Sequence, residues 1–152
     1  MNKNDDHILP WVKGILSKEN PSGQVIAYNF GLTEKLKCYS IYLIGSKSYD
    51  ENNDDWACNE SFVPREREIN LLYSKKTKWS EVLDETVKNI QRLLKEDFIK
   101  DSFLESAKAI TVGFDDGDLI KIKSEITDVK ESETIVVEPP KSGKSSLKLK
   151  RD

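Results

Sequence analysis

Four carboxylates, Asp50, Glu51, Asp54 and Asp55, lie between two aromatic residues, Tyr49 and Trp56, and Glu60 follows with no lysine or arginine within residues 49–60. Clustered carboxylates can ligate a metal, work as an acid–base pair, or attract a cationic surface, and spacing decides among these. Asp50, Asn52 and Asp54 match the opening of a calcium loop. The match then fails, because Asp55 stands where the sharp turn needs glycine and Ser61 where the bidentate glutamate belongs. Asp115, Asp116 and Asp118 surround Gly117, and a tight turn accounts for them. The sequence therefore predicts no metal and no cofactor.

Other reactive residues do not assemble a centre. His7 is the sole histidine and lies in a polar N-terminal stretch, away from any nucleophile it could activate. Cys38 and Cys58 have no metal-ligand spacing and read as two reduced thiols. Ser142-Gly143-Lys144-Ser145 ends like a phosphate-binding loop, but Glu138 occupies the place of its first glycine, and the segment is proline-rich rather than strand–turn–helix. Asp54, Asp55 and Glu60, with Tyr49 and Trp56 as stacking platforms, leave a small carboxylate-based hydrolase as an alternative. A chain of 152 residues offers few aromatic platforms for such a cleft. No enzyme is expected.

The remaining use of the patch is binding. Residues 139–152 carry five basic side chains against Asp152, a net +4, which leaves −7 on the other residues of a chain whose total is −3. A body of that sign repels nucleic-acid phosphates and attracts basic protein surfaces. The basic segment itself has no aromatic side chain on which a base would stack. In the patch, Asp50, Glu51, Asp54, Asp55 and Glu60 would supply electrostatic contact, and Tyr49 and Trp56 apolar anchoring; the alternative is that Trp56 folds inward as core with Phe62 and Cys58, leaving only the carboxylates outside.

The elements that must position these residues follow from periodicity. Hydrophobic residues make up 37% of the chain and charged residues 34%, so part of it is expected to lie outside the core. Residues 1–10 read as a flexible N-terminus, 11–137 as a single domain and 138–152 as a disordered basic tail. Ile8, Leu9, Trp11, Val12, Ile15 and Leu16 recur at helical spacing, with Pro10 in a first turn, and Asn20-Pro21-Ser22-Gly23 stops them. Strands are expected over 24–30, 35–44 and 69–73. The clearest helix spans 77–100, where Trp79, Val82, Leu83, Val87, Ile90, Leu94 and Phe98 form one stripe. The β-rich runs 109–114 and 119–123 flank Asp116-Gly117, a hairpin signal, and 134–137 reads as a last short strand. The fold class is α+β: a mostly antiparallel sheet of about five strands with one long helix packed on one face. The alternative is a mixed sheet in which that helix crosses over from the third strand to the fourth.

This layout, with Tyr42-Leu43-Ile44-Gly45-Ser46, an acidic loop, Trp56-Ala57-Cys58, a long helix and a late Val112-Gly113-Phe114-Asp115-Asp116-Gly117-Asp118 hairpin, resembles small bacterial immunity proteins. The resemblance covers roughly residues 24–123. It implies inhibition by tight binding to a basic toxin domain. No secretory signal or apolar span is visible, so the expected location is cytoplasmic, with no nucleic-acid or membrane partner. The oligomeric state stays open, and self-association as a structural or adaptor module is the alternative function.

Overall fold

A computed structural model describes residues 4–74 and 76–124. The strand expected at 134–137 and the basic tail lie outside the described residues. The chain forms α1 (Asp5–Lys18), β1 (Ala27–Glu34), β2 (Tyr39–Ser46), β3 (Glu68–Asn70), α2 (Trp79–Leu93), β4 (Ala109–Phe114) and β5 (Ile120–Ser124), with short 3-10 turns at Asp54–Cys58 and Asp97–Ile99.

The class is α+β; the sheet is mixed, as in the crossover alternative, rather than mostly antiparallel, and two helices rather than one long helix pack on its face. Strand order is β3-β2-β1-β4-β5. β1 pairs antiparallel with β2 and parallel with β4, while the outer pairs β2–β3 and β4–β5 are antiparallel. The parallel pair follows from the long connection through α2, which takes the chain from the β3 edge back to the middle of the sheet. A two-residue hairpin could not make that return, because parallel neighbours need a crossover. The Asp-Gly turn does close an antiparallel hairpin between β4 and β5.

Residues 5–10, read from sequence as flexible, are helical and partly buried. The reason is a long-range anchor. The buried Asp5 carboxylate accepts from Asn89 Nδ2 at 2.6 Å and from Arg92 at 2.9 Å, both on α2. Asn4 Oδ1 accepts the Leu72 N–H at 2.7 Å, fixing the start of α1 beyond β3. α1 thus begins before Pro10, which occupies an exposed position inside the helix.

Strand alternation divides the sheet into two unlike faces. Tyr28, Phe30 and Leu32 of β1, Tyr39, Ile41 and Leu43 of β2, and Ile110, Val112 and Phe114 of β4 join Ile8, Trp11, Val12 and Ile15 of α1 and Val82, Ile90 and Leu93 of α2 in one core. Both helices therefore cover the same face. The alternate residues are mostly small or polar: Ala27, Asn29 and Gly31 on β1, Ser40 and Ser46 on β2, Ala109, Thr111 and Gly113 on β4, with Tyr42 and Ile44 of β2 as the large exceptions. Side chains and loops, not helices, cover that second face.

Candidate functional site

The acidic loop leaves β2 after Ser46 and crosses the second face. Its backbone is held at several points. Asp50 Oδ1 accepts the Asn52 N–H at 2.9 Å, and Asn53 Oδ1 caps the Asp54–Cys58 turn by accepting the Asp55 N–H at 2.8 Å. Such local side-chain-to-backbone bonds are why Asx residues dominate tight turns. Asp54 Oδ2 accepts the Leu119 N–H at 3.0 Å, and Lys121 Nζ donates to the Glu51 carbonyl at 2.8 Å, tying the loop to the β4–β5 hairpin.

Trp56 is not an outward anchor. It is 6% exposed and packs with Ala27 and Ala109, which are direct partners across the β1–β4 pair. Two alanines side by side on parallel strands leave a shallow depression, and the indole fills it. Tyr49, half-buried, meets Trp56 edge-on with ring centroids 5.3 Å apart. The two aromatics serve as the inner support of the loop, which corrects the anchoring role read from sequence.

The carboxylates divide into two groups. Asp50, Asp54 and Asp55 are exposed, and Glu51 is partly so. Glu60 is taken: Arg67 donates to both its oxygens, at 3.4 and 3.1 Å. The same guanidinium lies 5.0 Å from the centroid of the Tyr42 ring. Tyr42 in turn donates its hydroxyl hydrogen to Asp115, whose other oxygen accepts from Thr33 Oγ1 at 3.2 Å. Burial, and next the bond to Asp115, hold the Tyr42 phenol well above its ordinary pKa. A chain of contacts Glu60–Arg67–Tyr42–Asp115 therefore runs across the second face from the loop toward the β4–β5 turn. Alternating charges at 65–68 mark Arg67 as a surface residue, but nothing local marks it as the partner of Glu60.

A second feature lies at the C-terminal ends of the parallel pair β1 and β4. There a cleft of about 600 Å³ is lined by Leu32, Thr33, Glu34, Trp79, Phe114, Asp115, Asp116 and Gly117. Trp79 is 59% exposed and meets Phe114 edge-on at 6.1 Å. The helical stripe in the sequence includes Trp79, yet α2 begins at this residue, beyond the sheet's end, so its indole is left on the wall of the cleft.

Among the described residues, no group of three or more His, Cys, Asp or Glu side chains is arranged to hold a metal ion. Cys38 and Cys58 are free thiols. No described helix is long and apolar enough to cross a membrane. His7 is exposed on the first turns of α1. The fold and the site define an α+β chain with a braced acidic loop. No family model matches it, and no curated protein or solved structure does either.

Proposed function

We propose that this chain is a non-catalytic binding protein that captures a basic protein surface, with Asp50, Asp54 and Asp55 as its electrostatic contact. The observation behind the reading is the combination of exposure and bracing. These carboxylates face solvent on a backbone fixed by the Asx bonds, the Asp54–Leu119 bond and the Lys121–Glu51 bond. Charges on a fixed frame attract a counter-surface without a large ordering cost on binding. Glu60 belongs to the supporting network rather than to the contact, since Arg67 already neutralises it.

In its narrower form the reading is a cytoplasmic immunity protein whose partner is a toxin domain, as the layout resemblance implies. The test starts from the product of the neighbouring gene. If that product is a toxin, co-expression of this chain restores growth, and the two purified proteins associate faster at low salt than at high salt. Asp50→Lys combined with Asp55→Lys slows association and flattens its salt dependence. Asp54 is left intact because it holds Leu119. An unchanged association rate for the doubly reversed chain removes the loop from the contact, and a tight homodimer indifferent to the toxin favours the self-associating module instead.

A further inference from the structure

The cleft between β1, β4 and the start of α2 has the chemistry of a receptor for a single cationic side chain. Its floor is apolar, made by the buried Leu32 and Phe114. One wall is the exposed Trp79 indole, the best aromatic surface for a cation. The rim carries Glu34, Asp115 and Asp116. Asp115 is engaged by Tyr42 and Thr33, whereas Glu34 and Asp116 are exposed and form no ion pair among the described residues.

The surroundings point to a protein as the bearer of that cation. The strand register places the β1–β2 turn, the segment after β3 and the first turn of α2 at the same end of the sheet. These supply Leu36, 82% exposed, and Leu72, 48% exposed. A free small cation would leave both leucines in water; a protein segment laid across this end would cover them. Exposed apolar side chains at the same end of the sheet as an aromatic cleft with carboxylates at its rim suit the docking of a protein segment that carries an arginine or lysine.

We infer that this cleft seats an arginine or lysine side chain from an extended segment of a protein partner, with the cation over the Trp79 indole and Glu34 and Asp116 as counter-charges. The inference deepens the reading of the chain as a binder of basic protein surfaces and rests on it for the sign of the partner. It places the anchor in the cleft rather than on the exposed carboxylates of the acidic loop, which reaches the same β4–β5 hairpin through the Asp54–Leu119 bond.

The probe is a short acetylated, amidated Gly-Arg-Gly-Arg-Gly peptide, with a citrulline version as its uncharged match, titrated into the full-length chain. Trp11 and Trp56 are buried, so collisional quenching by acrylamide reports mainly on Trp79. The arginine peptide shields Trp79 saturably and shifts the amide resonances of residues 32–34 and 114–117, and the citrulline peptide does not. Glu34→Gln with Asp116→Asn weakens binding by about fivefold or more, as does Trp79→Ala followed by resonance shifts. Asp50→Lys with Asp55→Lys leaves it unchanged. Shifts confined to residues 50–60 would overturn the cleft assignment while leaving the acidic loop as a binding surface. Equal binding of both peptides, or none, would also overturn it. Shielding of Trp79 already present without peptide and released by salt would assign the cleft to a cation of this chain; shielding that grows with protein concentration would assign it to a second copy. Either result excludes a foreign partner as occupant.

Discussion

The Tyr42 ring occupies the space that a side chain at Gly31 would need. The two residues are register partners on neighbouring strands, and a Cβ built on Gly31 would lie 2.0 Å from the Tyr42 Cζ. Only a residue without a side chain lets the ring lie flat across β1 and reach Asp115. Gly31→Ala is therefore expected to destabilise the fold by about 1–3 kcal/mol, as overpacking does. Chemical denaturation measures this. In a Tyr42→Ala background the penalty of Gly31→Ala should largely vanish; equal costs in the two backgrounds would deny the coupling.

Trp56 holds the acidic loop against the sheet from beneath. Removing a buried tryptophan forfeits its transfer free energy and leaves a cavity over Ala27 and Ala109. Trp56→Ala should lower stability by about 3–5 kcal/mol. Hydrogen exchange of the 49–61 amides should rise beyond what global unfolding explains, because the local support is gone. A variant that keeps full stability would return Trp56 to the surface role that its sequence neighbours suggest.

Asp5 joins the first turn of α1 to the last turns of α2, and its acceptor role is irreplaceable by an apolar residue. Asp5→Ala leaves Asn89 Nδ2 buried without this acceptor and frees the Arg92 guanidinium. An expected loss of about 1–3 kcal/mol follows from removing hydrogen bonds to a buried carboxylate. Asp5→Asn should recover part of it, since an amide oxygen still accepts. Thermal melts of the three chains rank them wild type, Asn, Ala.

Alkali should unfold this chain through its phenols. Burial raises the Tyr28 pKa, burial and the Asp115 bond raise that of Tyr42, and burial with the nearby Glu85 carboxylate pushes Tyr73 up to about 12. The folded chain therefore keeps protons that the unfolded chain releases above the ordinary value of 10.0. The stabilisation is complete below that pH and is lost as pH rises through the folded-state values. Melting temperature should stay level up to about pH 10 and fall beyond it, with phenolate absorbance appearing together with unfolding. Phenolate absorbance that develops fully in the folded state would contradict this.

What could be read along the chain is what a local pattern carries. The α2 stripe, the Asp116-Gly117 hairpin and the apolar runs of β1 and β2 all repeat within a few residues, so sequence finds each of them, although α2 stops at Leu93 and the rest of the stretch read as helix to 100 breaks into a short 3-10 turn at Asp97–Ile99. The acidity of the loop is likewise a matter of composition. Asn89 is buried on α2 beside the apolar stripe, and its burial was not legible, because it depends on Asp5 of α1 docking there.

The sequence by itself determined the α+β class, the hairpin, and a run of carboxylates unbroken by any cation. Tertiary structure alone decided that β4 lies parallel to β1, that Trp56 turns inward onto their two alanines, and that Arg67 and Lys121 come to the loop from residues 7 and 70 positions away. It also left Trp79 exposed beside Phe114. The physical reason is the same in each case. A side chain's own neighbours set its backbone preference, but its partner across space depends on which strand the crossover helix delivers next to it, and no short-range pattern encodes that choice.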